Sequence, residues 1–301
     1  MNDVIHRNDC PVCGSAKLSL IFQAKDHTVS GKRFQISECG NCTLRFTQDA
    51  PGEADMSNYY QSNDYISHSN TSQGLVNRLY KAVRRITNRQ KRKSVEKNTG
   101  LRKGMILDVG SGTGFFLSEM KRNGWQVTGI EPSMQARTVA KKENNVDLED
   151  IGCFHSLQGP YNAITLWHVL EHIHDLNGYL HKFYELLTKD GKLFIAVPNY
   201  TCYDSQVYKE SWAAYDVPRH LYHFSPKSLL LLMETHGFVV EKIYPMWFDS
   251  FYVSFLSSKY KTGKTQWISA IVTASISNFK ALLKTDRCSS LIYVIKKKSI
   301  A

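Results

Sequence analysis

From Lys103 onward the chain repeats one unit, a short apolar run followed by a stretch with helical spacing. The runs "MILDVG", "WQVTGIEP", "YNAITLW", "KLFIAVPN" and "FVVEKIYP" alternate with "FFLSEMKRNG", "SMQARTVAKKEN", "DLNGYLHKFYELLTKDG" and "SPKSLLLLMETHG". A last run, "SSLIYVIKKK", follows one more helical stretch, "QWISAIVTASISNFKALLK". Strands that are apolar along their whole length need cover on both faces, and helices alternating with them supply it, so the pattern specifies an α/β fold with a doubly wound sheet. Gly124, Gly191 and Gly237 stand where helices should stop, and Ser225-Pro226 offers an N-cap followed by proline at the first helical position.

Within this pattern "MILDVGSGTGFF" says most about chemistry. An apolar strand ends at Asp108-Val109, and Gly110, Ser111, Gly112, Thr113 and Gly114 then open a helix. Glycines let backbone approach a ligand closely, and a helix N-terminus presents free N–H groups to a carboxylate or phosphate. A dinucleotide fingerprint would need a third glycine at position 115, which is Phe115, and no P-loop pattern occurs anywhere in the chain. The sequence L-D-V-G-S-G-T-G instead resembles motif I of the class I S-adenosylmethionine-dependent methyltransferases. Glu131 closes the next strand, where a carboxylate can take both ribose hydroxyls.

That resemblance runs from about Lys103 to the C-terminus and implies a seven-stranded Rossmann-like methyltransferase sheet. It implies that Gly110, Ser111, Gly112 and Gly114 wrap the amino-acid end of S-adenosylmethionine, with Asp108 supporting the loop and reaching the amino group. Glu131 would hold the ribose, and Trp167 with His168 would border the methionine. For the adenine it offers Glu149 or Asp150 of "VDLEDI"; Asn162 stands where relatives often carry Asp.

Methyl transfer from a sulfonium is an in-line displacement, and a protic acceptor also needs a base. "YDVPRHLYHF", in the insertion where this family builds its acceptor pocket, supplies His220 as the first candidate, with Asp216 and Arg219 near enough to orient it or an anionic substrate. His223 reads as structural. "LWHVLEHIHD" spells H-x-x-E-H, the pattern of inverted zinc peptidases, at His168, Glu171 and His172. The apolar face Leu176, Tyr179, Leu180, Phe183, Leu186 and Leu187 begins just after Asp175, a natural N-cap. This places the motif in a strand-to-helix turn and disfavours a peptidase site. Glu171 and His172 then either brace that turn or touch the methyl acceptor. Tyr59, Tyr60 and Tyr65 are candidates to cover the site, and Asp249 is the one carboxylate of the aromatic stretch "MWFDSFYVSFLSSKY".

Four of seven cysteines form two C-x2-C pairs, Cys10/Cys13 and Cys39/Cys42, separated by 25 residues suited to a β-ribbon. Two such knuckles make a closed tetrahedral site, so a structural zinc is expected there. A ribbon ahead of this core also resembles zinc-ribbon-bearing bacterial methyltransferases, including sugar C-methyltransferases. Those are longer, with an added C-terminal domain, and their substrate is not carried over. Cys153, Cys202 and Cys288 read as packing residues. The expected organisation is a zinc ribbon at 1–50, a lid and basic amphipathic helix at 51–102, and a methyltransferase core at 103–301 with insertions near 200–224 and 245–287.

The net charge of +11 is concentrated in residues 78–103, where eleven Lys/Arg face the single Glu96. With Leu75, Leu79, Val83 and Ile86 as an apolar stripe, this segment reads as a packed helix with a solvated face; an anionic surface or substrate is the next reading, and nucleic acid is disfavoured. With 42% hydrophobic residues, no long apolar run and no signal-peptide pattern, the chain is expected to be globular and cytoplasmic, without a transmembrane segment. The acceptor expected is a small molecule, sugar or lipid-linked glycan. An RNA or protein methyltransferase docking through ribbon and basic helix is the alternative, although the tetrad of nucleobase N-methyltransferases is absent after "YNAIT". A binding module without catalysis would show a damaged glycine motif, and this one is intact.

Overall fold

The computed structural model describes residues 4–60 and 75–298, with side chains of the helix beginning at Leu75 described from Val83 onward. Its centre is a six-stranded sheet built from β6 (Met105–Val109), β7 (Gln126–Ile130), β8 (Tyr161–Trp167), β9 (Leu187–Pro198), β11 (Phe238–Pro245) and β12 (Ser290–Lys297), in the order β11-β12-β9-β8-β6-β7. Strands β7, β6, β8 and β9 are parallel, and β12 inserts antiparallel between β9 and β11. Of the seven strands expected, the position beyond β7 is reduced to a single bridge, Ile130 to Glu149. "VDLEDI" is short and acidic, and its own polar side chains gain nothing from a longer buried ladder.

The two faces of the sheet are packed separately. On one, Leu107, Leu166 and Ile195 meet helices α4 (Leu176–Leu186) and α6 (Pro226–Thr235) through Leu180, Phe183, Leu229 and Leu232. On the other, Ile106, Ala163 and Phe194 meet α1 (Leu75–Thr99) and α2 (Phe115–Arg122) through Val95, Leu117 and Met120. Adjacent strand residues thus point to opposite covered faces, as the continuous apolar runs require. Helix α3 (Met134–Asn144) lies outside and buries only Ala140.

The expected caps are present. The Asp175 carboxylate accepts the Gly178 N–H at 2.9 Å, and Ser225 with Ser228 forms a reciprocal capping box ahead of Pro226. Gly191 does not end a helix, because α4 stops at Leu186 and Gly191 lies within β9. A Cβ there would stand 3.0 Å from the Tyr161 carbonyl, so the glycine serves close strand approach.

The N-terminal ribbon consists of β2 (Leu18–Lys25), β3 (Arg33–Cys39) and β4 (Arg45–Gln48), with a separate small ladder between β1 (Val4–Ile5) and β5 (Ala50–Pro51). Its sheet is completed by β10 (Tyr222–His223), which comes from the insertion after β9 and pairs antiparallel with β4. That insertion also carries α5 (Tyr203–Tyr208). It is tied to the C-terminal part by the fully buried Asp204, which accepts Trp212 Nε1 at 2.8 Å, Ser277 Oγ at 2.6 Å and Ser289 Oγ at 2.8 Å. Two antiparallel helices, α7 (Asp249–Thr262) and α8 (Trp267–Leu283), occupy the stretch between β11 and β12. No helix among the described residues is long and apolar enough to cross a membrane.

Candidate active site

The C-terminal ends of β6, β7 and β8 open into three loops that face one another, the place where open α/β sheets bind ligands. Gly110 has φ +68°, and a Cβ on it would stand 2.5 Å from Val169 Cγ2, so the loop after β8 packs on bare backbone. Gly112 has φ +54° and open space where a side chain would stand. Glu131 Oε2 accepts the Gly112 N–H at 2.8 Å and Oε1 accepts the Ser133 N–H at 3.0 Å, which fixes the carboxylate at the loop with lone pairs to spare. Asp108 is 2% exposed and accepts Thr165 Oγ at 2.5 Å. Burial pushes its carboxyl up to about 7, and burial likewise raises Glu131.

Two buried acids held above their ordinary range are a site short of positive charge, and the ammonium and sulfonium of S-adenosylmethionine would supply it. The Trp167 indole N–H is buried and has no partner among the described residues, a second sign of an unfilled polar place. Lys91 of α1 reaches in from the other side, its Nζ 4.4 Å from the centre of the Trp167 ring, with Asp108 and Asp249 among the charges around it. Asn162 accepts the Met105 N–H at 2.9 Å and Asp150 pairs with Arg137 at 2.7 Å, so both already have local partners.

Beside this cradle stands a second cluster. "HVLEHIH" forms a turn with one short 3-10 helix at Leu170–His172, so the metallopeptidase geometry is absent. His168, at φ +60°, lies between Asp249 (Nε2 to Oδ2, 3.0 Å) and Glu171 (Nδ1 to Oε1, 3.4 Å). Burial alone would lower its pKa, but the two carboxylates raise it to about 10, making it a cation. Glu171 is fully buried, and neither carboxylate oxygen receives a hydrogen bond among the described residues. Burial opposes its charge, yet His168 and the adjacent imidazoles of His220 and His172 hold it below the usual range.

His172 and His220 meet edge to face, ring centres 4.5 Å apart. His172 Nδ1 lies 3.1 Å from the Arg219 carbonyl and 3.0 Å from the Tyr60 hydroxyl, and His220 Nδ1 lies 2.9 Å from the Ala214 carbonyl. A carbonyl can only accept, so each Nδ1 carries a proton and each Nε2 is left as the basic nitrogen. Burial and the neighbouring His220 lower His172 to about 4. Asp216 lies 4.0 Å from His220 Nε2, beyond hydrogen-bond length, and its carboxylate is instead gripped by Arg219 at 2.6 and 3.0 Å. Arg219, 2% exposed, also reaches Asp26 Oδ1 at 3.2 Å and the Tyr59 carbonyl at 2.9 Å. Tyr65 lies outside the described residues. Asp26 of the ribbon and Lys91 of the basic helix enter this region without having stood out in the sequence.

The ribbon reaches the same cluster. Thr47 Oγ donates to the His220 carbonyl at 2.6 Å and stands 3.2 Å from His223 Nε2, while the Leu221 N–H donates to the Glu171 carbonyl at 2.8 Å. At its tip, Cys10 and Cys42 sulfurs are 3.4 Å apart, Cys13 and Cys39 sulfurs 3.5 Å, and all four lie within 4.8 Å of one another. Zinc bound about 2.3 Å from each thiolate needs sulfur edges of about 3.8 Å, whereas a disulfide needs about 2 Å, so the cage fits the metal.

A family model described as a methyltransferase domain matches residues 78–243, more than half of the chain. The chain belongs to this methyltransferase family. Residues 78–243 form its methyltransferase domain, with the mostly parallel sheet that the sequence implied. The ubiquinone biosynthesis O-methyltransferase of Salmonella paratyphi A is 30% identical over 114 residues, which cover 35% of this methyltransferase and 46% of that one. An uncharacterized methyltransferase of Alkaliphilus oremlandii is 33% identical over 116 residues, covering 36% and 50%. The chain thus spans about half the length of these curated relatives. The magnesium protoporphyrin IX methyltransferase of Synechocystis PCC 6803, solved with bound SAH, superposes on 82% of this methyltransferase and all of its own chain, with 13% identity and a TM-score of 0.54. That likeness is one of fold.

Proposed function

We propose that this methyltransferase moves a methyl group to a hydroxyl or carbon of a small molecule, sugar or lipid-linked glycan, with His172 and His220 at the acceptor. The observation that carries this reading is the facing pair of imidazoles beside the buried Glu171, each with Nδ1 tied to a carbonyl, which leaves Nε2 as the nitrogen able to accept a proton. Bound S-adenosylmethionine supplies an electrophilic methyl group whose departing sulfur becomes a neutral thioether. Asp108 would meet its ammonium, Glu131 its ribose, and the Gly110–Gly114 backbone its carboxylate. One imidazole Nε2 takes the acceptor's proton as the new bond to methyl forms, and the carboxylate of Glu171 balances the charge so created. Arg219 and Asp216 position this pair, and zinc in the cysteine cage would fix the ribbon that supports them. The docking alternative for RNA or protein has less to stand on. Of the basic helix, Lys91 turns into the site, Arg92 pairs with Glu96 and Glu119 at 2.7 and 3.0 Å, and Arg84 covers the Phe115 ring.

Turnover assays against nucleotide sugars and polyprenyl-linked glycans should find an acceptor, and His172→Gln and His220→Gln should each lower kcat about a hundredfold while cofactor affinity holds. Full turnover in both variants would sink the assignment. Glu131→Ala should weaken S-adenosylmethionine binding about tenfold or more in calorimetry; equal affinity would remove its role at the ribose. Affinity should also rise with pH through about 7, where Asp108 loses its proton and can meet the ammonium. Asp108→Asn should flatten that rise.

A further inference from the structure

Helix α8 has its apolar character the wrong way round for a water-facing helix. The side turned to the protein is small, with Ala270, Thr273, Ala274, Ser277 and Ala281 buried, and it packs on α7, whose own buried residues include Ser250, Ser254 and Ser257. The opposite side is large and apolar: Trp267, Ile268, Val272, Phe279, Leu282 and Leu283 are 50–82% exposed. At a helical pitch these residues and Ile271 fall within one half of the circumference, so they form a single stripe and not scattered exposures. The inner face is already satisfied by close packing and cannot be improved by rolling the helix over.

The charge of the sequence that flanks the stripe is one-sided. Between residues 250 and 287 stand Lys259, Lys261, Lys264, Lys280, Lys284 and Arg287, against Asp286 alone. Within α8 itself Lys280 is the only charged residue, held 4.1 Å over the Tyr203 ring at the border of the stripe. A second copy laid on this face would bring two such cationic borders together, whereas a layer with apolar interior and anionic surface matches both features. At 17 residues, α8 is shorter than the roughly 20 that span a bilayer.

We propose that α8 lies in the surface of an anionic lipid bilayer, its large apolar stripe among the acyl chains and the cations that flank it in sequence at the headgroups. Helix α7 joins that surface to the acceptor cluster, since Asp249 at its first turn is the residue that pairs with His168. The docking is independent of which acceptor the site takes, and its test needs no acceptor.

Full-length, metal-replete protein is floated with phosphatidylcholine vesicles carrying about one part in three of phosphatidylglycerol, and with pure phosphatidylcholine. Expected is co-flotation with the anionic vesicles, weakened by high salt, and about tenfold weaker for Ile268→Glu/Leu282→Glu. A blue shift of tryptophan emission lost in Trp267→Tyr would accompany it. S-adenosylmethionine calorimetry on the same preparations separates loss of docking from loss of fold or of the cofactor site. The proposal is overturned if the wild type stays with the soluble fraction, if it floats equally with neutral vesicles, or if sedimentation shows a dimer that the double variant abolishes while vesicles bind neither.

Discussion

Arg219→Met is expected to lower the unfolding free energy by about 3 kcal/mol and to bring methyl transfer close to background. Removing one member of a buried ion pair costs about 3–5 kcal/mol because its partner's charge is stranded. The lower end applies here. Asp26 keeps donors from its own turn, the Ser30 N–H and hydroxyl at 2.7 Å and the Thr28 N–H and hydroxyl at 3.0 Å, and Asp216 retains some exposure. Activity suffers more than stability because Arg219 holds the ribbon through Asp26, the Tyr59 carbonyl and Asp216 at once, and its own carbonyl faces His172. Asp26 and Asp216 are both held below the usual carboxylate range, despite burial, by the turn donors and by Arg219. Their contribution is therefore present above about pH 4 and fades as pH falls below it. Urea titrations at pH 7 and pH 3 should show the variant's deficit at the higher pH and a smaller one at the lower. An equal deficit at both would detach the loss from these carboxylates.

Removal of metal by a chelator, or Cys39→Ser, is expected to have the other large effect. Structural zinc sites contribute folding free energy outright. The ribbon tip has other ties, Thr43 Oγ to Ser225 Oγ and Lys227 Nζ to the Asn41 carbonyl, both at 2.7 Å, but a metal across the four sulfurs is what would join Cys10 and Cys13 to Cys39 and Cys42. Loss of the cage should loosen β4, the Thr47 bond to the His220 carbonyl and the β4–β10 ladder, lowering kcat/KM by about a thousandfold. Binding at the proposed cofactor site, at the ends of β6 to β8, should survive. Elemental analysis should give one zinc per chain, and a Cys39→Ser protein with unchanged melting and turnover would refute the role.

Where chemistry and local pattern coincide, the sequence was readable. The loop from Gly110 to Gly114, Glu131 at the end of its strand, the cap at Asp175 and the turn holding His168 to His172 are all set within a few residues of themselves. Contacts between distant segments were not. Asp26 looks like any aspartate opening a turn, and its partner Arg219 is 193 residues away. Lys91 sits in a run of cations whose sum suggested solvent, and only packing of α1 on the sheet turns it toward Trp167. Strand β10 is two residues long, too short for an alternation to register, though it ties the ribbon to the insertion that carries His220. Asp216 stands four residues before His220, which suggested that it orients the imidazole, but Arg219 one residue nearer takes both of its oxygens.

The shared ribbon sheet also orders events during synthesis. Thr47 leaves the ribosome 176 residues ahead of His223, its neighbour across β4 and β10. At about 5–20 residues per second, the ribbon waits roughly 10–35 s for its last strand and for the arginine that clasps Asp26. Through that interval it has its four thiols, three strands and the small β1–β5 ladder, with the edge of β4 that later takes β10 unpaired. Early capture of metal on the nascent chain would hold the fragment in register until the rest arrives. Zinc starvation should therefore reduce the yield of newly made protein more sharply than it inactivates protein already folded.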